Sequence, residues 1–179
     1  MYYIGIDIGG TNLKAGLVDE NYQITATRKQ PLQFVSMEQM GETLAQMAIA
    51  LVEENNVPRD QVASVGMGFP GPVDDRRGVV IKTVNIPIRS MPVAEMFHRC
   101  WADVPVHLGN DADCAALGEF YHYEDKNIES LILVTLGTGF FFNDTATAEI
   151  YSLSLRALFR SCPNQITGNR LEPEMPCSK

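Results

Sequence analysis

The 179-residue sequence is short of basic charge, of cysteine and of long apolar runs, and each shortage removes a class of function. Its 14 Lys and Arg stand against 22 Asp and Glu, a net charge of −8. That balance argues against gripping nucleic acid or an anionic membrane through a basic face. It does not exclude a nucleotide, whose phosphates are met by Mg²⁺ and by backbone dipoles. The four cysteines, Cys100, Cys114, Cys162 and Cys177, lie far apart with no Cys-x-x-Cys pair. Neither a disulfide framework nor a zinc site is signalled. No run approaches the ~18 apolar residues of a membrane span. Met1 leads straight into a strand pattern, so no signal peptide is expected and the cytoplasm is the default compartment. With 45% hydrophobic residues, the chain has material for about one domain, or one and a fraction.

What is present begins with Ile4-Gly-Ile-Asp-Ile-Gly-Gly-Thr-Asn-Leu-Lys-Ala-Gly-Leu-Val-Asp19. Ile4, Ile6 and Ile8 alternate with small or polar residues, and Leu13, Ala15 and Leu17 do the same on the return. The pattern predicts a hairpin over residues 2–19, turning at Gly9-Gly10-Thr11-Asn12, where glycine permits positive φ and close approach of a ligand. Asp7 ends the first strand beside that turn. A carboxylate there suits Mg²⁺, while turn N–H groups and Thr11 suit phosphate oxygens.

Further along, residues 22–30 read as a third strand. Ser36 and Gln39 form a capping-box pattern ahead of a helix over residues 37–55, whose Met40, Leu44, Met47, Leu51 and Val52 share one face. Residues 62–67 read as a buried strand and 68–72 (Gly-Phe-Pro-Gly-Pro) as a rigid turn at its C-terminal end, where ligands gather in open α/β sheets. Residues 78–83 read as a strand and 93–101 as a short helix carrying a solvated His98. Residues 104–108 are another strand, closed by Gly109-Asn110-Asp111 and followed by a small-residue helix. His107 and Cys114 read as packing residues. Asn85 suits a sugar, because an amide donates and accepts at once, or is a turn amide before Ile86-Pro87. Asp111 is either a helix N-cap or a carboxylate facing a cleft.

Several of these segments together resemble one family. Asp7-x-Gly9-Gly10-Thr11 with Asp19 after the return strand is similar to the first phosphate motif of the sugar kinase, heat-shock protein and actin superfamily. Gly66-x-Gly68-x-Pro70-Gly71-Pro72-Val73-Asp74, Asn85-Ile-Pro, Asn110-Asp111-Ala followed by Gly118-Glu119, and Leu136-Gly137-Thr138-Gly139 narrow it to the ROK branch of glucokinases, fructokinases and sugar-responsive repressors.

That resemblance implies an α/β, actin-like ATPase fold. Residues 1–111 would be a ribonuclease H-like lobe, with a three-stranded antiparallel start and then parallel βα units. Residues 112–139 would be the first helix and strand of a truncated second lobe. The implied reaction is ATP-dependent phosphorylation of a hexose, glucose to glucose 6-phosphate. Asp111 would be the catalytic base. Asp7, Gly9, Gly10, Thr11 and Asn12 would bind Mg²⁺-phosphate, with Asp7 nearest the metal. Lys14 lies near the phosphates or is an exposed strand lysine. Gly137, Thr138 and Gly139 would cradle phosphate from the other side. Gly68, Pro70, Gly71, Asn85, Asn110 and Asp111 would hold the sugar. The full-length parent would be a homodimer. The family's structural zinc belongs to a C-terminal half that this chain lacks. The alternatives are a ROK transcriptional regulator, which carries a DNA-binding domain ahead of the hairpin, or a non-catalytic sugar-binding domain. The hexose, and ATP against polyphosphate as donor, are left open.

After Gly139 the pattern breaks. Phe140-Phe141-Phe142 stands where the motif wants glycines, and bulky rings keep phosphate from the backbone. The following Asn143-Asp-Thr-Ala-Thr-Ala-Glu-Ile-Tyr151-Ser-Leu-Ser-Leu155 resembles the translation of a sequencing-adapter oligonucleotide, AAT GAT ACG GCG ACC giving Asn-Asp-Thr-Ala-Thr. Leu158-Phe-Arg-Ser161 matches its far end in a shifted frame. Residues 140–179 are therefore expected to be a non-native, disordered tail. The chain itself is expected to be an inactive fragment.

Overall fold

A computed structural model describes residues 1–122, 165–167 and 170–172. The chain divides into two compact units, Met1–Leu133 and Val134–Lys179. The expected boundary at residue 111 is not where this division falls, and the helix that follows it belongs to the first unit.

The first unit is built on a five-stranded sheet in the order β3-β2-β1-β4-β8. β1 (Tyr2–Ile8), β2 (Asn12–Asp19) and β3 (Ile24–Pro31) pair antiparallel. β4 (Val62–Phe69) and β8 (Val106–Asn110) then add in parallel to β1. The antiparallel start with parallel additions is the arrangement the resemblance implies. Period-two alternation drives the first strands. Ile4, Ile6, Ile8, Leu13, Ala15 and Leu17 are buried, while Gly5 and Asp7 face out.

The buried face is covered by α1 (Met37–Glu54), which brings Met40, Leu44, Met47, Ala48, Leu51 and Val52 onto the sheet. Ser36 starts this helix, its side chain accepting a hydrogen bond from the Gln39 amide at 3.1 Å. Asn55 ends it. α2 (Val93–His98) crosses α1 at Gly41, where a Cβ would meet that of Met96 at 2.5 Å. A side chain at Gly41 would push the two helices apart.

Between β4 and α2 lies a small sheet that alternation does not betray, because its strands are too short. It orders β5 (Val73–Asp74), β6 (Val79–Lys82) and β7 (Arg89–Met91) antiparallel. Gly78, at φ +64, makes the turn into β6. α3 (Asp111–His122) follows β8 directly, with Ala112, Cys114 and Leu117 exposed.

Three expectations are corrected. β3 begins at Ile24, because Tyr22 takes a left-handed turn (φ 61), and Ile24 itself is 68% exposed on the sheet edge. α2 stops at His98, three residues early. His98 is half-buried, its Nε2 lying 2.9 Å from the Val104 carbonyl, so it braces the approach to β8 instead of facing solvent.

In the second unit, β9 (Gln165–Thr167) and β10 (Arg170–Glu172) form an antiparallel pair. These six residues are the part of the 140–179 segment that the structure describes. The rest of the 140–179 segment lies outside the described residues. Among the described residues no helix is long and apolar enough to cross a membrane.

The core assignment has a direct test. Leu44→Ala, at a fully buried position, should cost about 2–5 kcal/mol in urea unfolding. Ile24→Ala should stay within about 0.5 kcal/mol, as an exposed edge substitution does.

Candidate functional site

β1, β4 and β8 run parallel, so their C-terminal ends share one edge of the sheet, the usual place for a ligand in an open α/β sheet. Asp7 pairs with Gly68, and Gly68 with Gly109, in one row across it. Asn110 and Asp111 stand just beyond that row.

Asp7 lies opposite Lys14 on β2, with Nζ 3.5 Å from its Oδ2. Both side chains are more than half exposed, so the pair adds little to stability. The two charges are held in register at the surface and are open to a charged ligand. The Gly9 amide donates to the Asn12 carbonyl at 3.0 Å to close the turn. Neither Gly9 nor Gly10 has positive φ, contrary to the sequence expectation. Room is tight at Gly9, and Gly10 lies in ordinary contact distance of Asn85. A Cβ on Gly9 would meet the Asn12 oxygen at 3.0 Å, and one on Gly10 would meet Asn85 Cβ at 3.4 Å. Asn85 is therefore stationed directly over the phosphate-type turn. Thr11 is exposed, and its carbonyl accepts from the Leu32 amide at 2.9 Å.

Residues 70–72 tie these parts together. Gly71 is buried at φ +155, and a Cβ there would lie 2.2 Å from the Lys82 carbonyl oxygen. Pro70 O accepts from the Val84 amide at 3.1 Å and Pro72 O from the Ile81 amide at 3.0 Å. The strand-to-loop segment that carries Asn85 is thus hung on the 70–72 turn. Thr83, buried, donates its hydroxyl to the Ile86 carbonyl and so shapes the loop from within. Residues 83–89 and Met37 line a concavity of about 550 Å³.

On the other side of that turn, Asn110 Nδ2 donates to the Gly71 carbonyl at 3.3 Å. Asn110 Oδ1 accepts from the Ala112 amide at 3.0 Å and the Asp113 amide at 3.3 Å. Asn110, not Asp111, is therefore the cap of α3. Asp111 Oδ1 accepts from its neighbouring Ala112 amide at 2.9 Å. Its Oδ2 has no partner among the described residues. Gly68 packs beside it: a Cβ on Gly68 would lie in ordinary contact, 3.4 Å from Asp111 Cα.

Cys114 sits one turn along α3, with its sulfur over Gly109, where a Cβ would meet it at 2.3 Å. Partial burial, then the Asp113 and Asp111 carboxylates, push its thiol pKa up, so it is a weak nucleophile at neutral pH.

The site residues expected from sequence thus converge from Asp7 to Lys14, at Gly68, Pro70, Gly71 and Asn85, and at Asn110 and Asp111. Gly137, Thr138 and Gly139 lie outside the described residues. Sequence reading missed Asp75, whose Oδ1 accepts from the Leu108 amide at 2.7 Å and whose Oδ2 lies 3.8 Å from His107 Nδ1. The only signal was a second carboxylate after Asp74. Among the described residues no group of three or more His, Cys, Asp or Glu is arranged to hold a metal. The donor set fits a cation held by one carboxylate, Asp7, with phosphate oxygens and water completing its shell, as is usual for Mg²⁺.

A family model described as ROK family matches residues 3–142. The glucokinase of Streptomyces coelicolor is 37% identical over 136 residues, covering 76% of this chain and 41% of the relative. The N-acetyl-D-glucosamine kinase of Vibrio cholerae is 33% identical over 147 residues, covering 78% of this chain and 44% of the relative. Among solved structures, a ROK family glucokinase from Streptomyces griseus in complex with glucose and AMPPNP superposes with a TM-score of 0.59 at 33% identity. That match covers 67% of this chain and 36% of that one. The chain spans about two fifths of the length of the relatives it matches.

Gly71→Ala tests the turn. Its Cβ has no space and its φ is one that L-residues avoid, so the variant should lose about 1–3 kcal/mol or more in chemical denaturation. An unchanged midpoint would contradict the described geometry.

Proposed function

The chain belongs to the ROK family, and on that premise we propose that it is the N-terminal part of a sugar kinase that phosphorylates a hexose hydroxyl with ATP. Glucose, yielding glucose 6-phosphate, is the preferred substrate of this reading. The glucokinase relative and the glucose- and AMPPNP-bound neighbour support that choice. In the same reading, residues 1–111 form the first lobe, residues 112–139 open the second, and the full-length protein is a homodimer. A reaction that consumes ATP also carries a cytoplasmic location.

One observation carries the proposal. Because Asn110 caps α3, Asp111 keeps a carboxylate oxygen free at the C-terminal end of β8. Asp111 Oδ2 then accepts the proton of the attacking sugar hydroxyl. Bound Mg²⁺-ATP supplies the phosphoryl group and the positive charge that offsets developing negative charge. Asp7 orients the cation, and the Gly9-Gly10-Thr11-Asn12 turn, its Gly9 amide kept in the bond to the Asn12 carbonyl, lies beside the phosphates. Lys14, released from Asp7, follows the phosphate charge. Asn85, over Gly10, joins the sugar side of the cleft to the phosphate side. Gly68, Pro70 and Gly71 form the wall between them. Gly137, Thr138 and Gly139 complete the phosphate cradle in this reading. Phe140-Phe141-Phe142 then leaves the 179-residue chain a poor catalyst.

Two assays test the reading. In a full-length kinase carrying residues 1–139, Asp111→Asn should lower kcat about 10²–10⁴-fold with the hexose KM little changed, because the amide keeps the Ala112 bond but takes no proton. Normal turnover in that variant would remove Asp111 from the chemistry. The 179-residue chain, in a coupled hexose-phosphorylation assay, should turn over far below the full-length protein. Equal rates would overturn the assignment of the tail as inactive.

A further inference from the structure

We propose that Asp75 is a positioning residue: its carboxylate holds β8 by the outward amide of Leu108, and so fixes the strand that carries Asp111 against the corner behind the 70–72 turn. The catalytic consequence rests on the sugar-kinase reading, whereas the bond itself belongs to the free chain.

β8 is an edge strand of the five-stranded sheet, with β4 as its ladder partner. Backbone groups of alternate residues point to the same side of a strand. Pro105 turns its carbonyl toward β4, accepting from the Val65 amide at 2.8 Å. His107 and Gly109 therefore face β4 as well. The Leu108 amide points outward, where no further strand among the described residues receives it. Leu108 is buried, and a buried amide without an acceptor is costly. Asp75 supplies the acceptor, its Oδ1 taking the Leu108 amide at 2.7 Å. The other carboxylate oxygen lies 3.8 Å from His107 Nδ1, but both side chains are open to solvent and that pair adds little.

The corner that carries Asp75 is held on its other sides. Asp74 starts the helical turn 75–77, its Oδ1 accepting from the Arg77 amide at 3.1 Å. Gly78 closes that turn at φ +64, and its carbonyl accepts from the Ala94 amide of α2 at 3.1 Å. A Cβ at Gly78 would come within 2.4 Å of Ala94 Cβ, so the corner sits directly on α2. Upstream, Val73 and Asp74 pair with Val80 and Val79, and the Pro72 carbonyl accepts from the Ile81 amide. The corner is thereby joined to the 70–72 turn, and Asp75 ties Leu108 to both. Asp111 stands three residues beyond Leu108, just past the end of the same strand. A loosened Leu108 amide lets the end of β8 shift against the turn. As one hydrogen bond the link is worth little. Its importance is geometric, since a small misplacement of a catalytic group costs rate more than affinity.

Variants at Asp75 separate the bond from the charge. Asp75→Ala removes the acceptor. Asp75→Ser is too short to reach the Leu108 amide, and it serves if the alanine variant does not fold. Asp75→Asn keeps an oxygen for that amide and loses the charge beside His107. Hydrogen exchange of the sugar-free 179-residue chain is the first readout. The Leu108 amide should exchange at least about tenfold faster in Asp75→Ala and stay within about threefold in Asp75→Asn, while Val65, bonded to Pro105 on the β4 side, keeps its protection. Unchanged Leu108 exchange in Asp75→Ala would overturn the bond. The second readout is steady-state kinetics of the full-length kinase. Asp75→Ala should lower kcat at least about tenfold with the hexose KM shifted less than about threefold, and Asp75→Asn should restore most of that kcat. His107→Ala should leave kcat within about threefold of the unsubstituted enzyme. Unchanged kcat in Asp75→Ala, or equal losses in Asp75→Ala and Asp75→Asn, would overturn the positioning role. If the unmodified full-length protein phosphorylates no hexose, the kinase reading fails, and hydrogen exchange still decides whether Asp75 holds β8.

Discussion

The contact on which the site depends is the approach of Gly71 to the carbonyl of Lys82. A Cβ at position 71 would come within 2.2 Å of that oxygen, and the residue sits at φ +155. Only glycine satisfies both conditions. The consequence is a turn, 70–72, pressed flat against the small β5-β6-β7 sheet and fixed by backbone bonds at both prolines. From that fixed turn the two amide residues of the cleft are reached in opposite directions. Asn85 follows from the segment bonded to Pro70, and Asn110 from the bond to Gly71 itself. Loops are the mobile parts of most folds. Here the loop gains rigidity because its prolines, its glycine and two long-range hydrogen bonds all act within three residues.

The rest of the site is economical in charge. Asp7 and Lys14 face one another across β1 and β2 at the exposed edge, where Coulomb attraction is screened and the pair contributes little to folding. Their value is readiness, because neither charge is buried and neither must be desolvated before a ligand arrives. At the other strand end, Asn110 serves as the α3 cap and so spares Asp111 that duty. Gly109 provides the space into which the Cys114 sulfur fits, and Gly68 lies in contact with Asp111. Small residues at adjacent strand ends thus let the first turn of α3 sit close on the sheet, and the candidate base is carried in with it.

Much of this was legible in the sequence, and the reasons are physical. The hairpin announced itself by strict alternation of Ile4, Ile6 and Ile8 with Leu13, Ala15 and Leu17, a pattern that survives because one sheet face is buried. α1 was legible from Ser36 and its apolar stripe. Asp7 and Asp111 stood out because they are carboxylates at strand ends beside glycines, the edge of an open α/β sheet where ligands gather. What the sequence concealed was the use of each polar group. The amide at position 110 can bind sugar and cap a helix, and only the positions of Ala112, Asp113 and Gly71 show the second use. Gly9 and Gly10 were expected for positive φ and for close approach of a ligand, and neither has a positive φ. Asp75 showed only as a second carboxylate after Asp74, since its partner is a backbone amide 33 residues away in sequence. Ile24 misled because an edge strand leaves apolar residues exposed.

The central claim is that the free oxygen of Asp111 meets the reacting hydroxyl of a hexose at the end of β8. A crystal structure of the full-length protein carrying residues 1–139, with glucose and a non-hydrolysable ATP analogue bound, tests it most directly. The account predicts a sugar hydroxyl within about 2.6–3.2 Å of Asp111 Oδ2 and facing the terminal phosphate. Glucose bound away from Asp111 would contradict it.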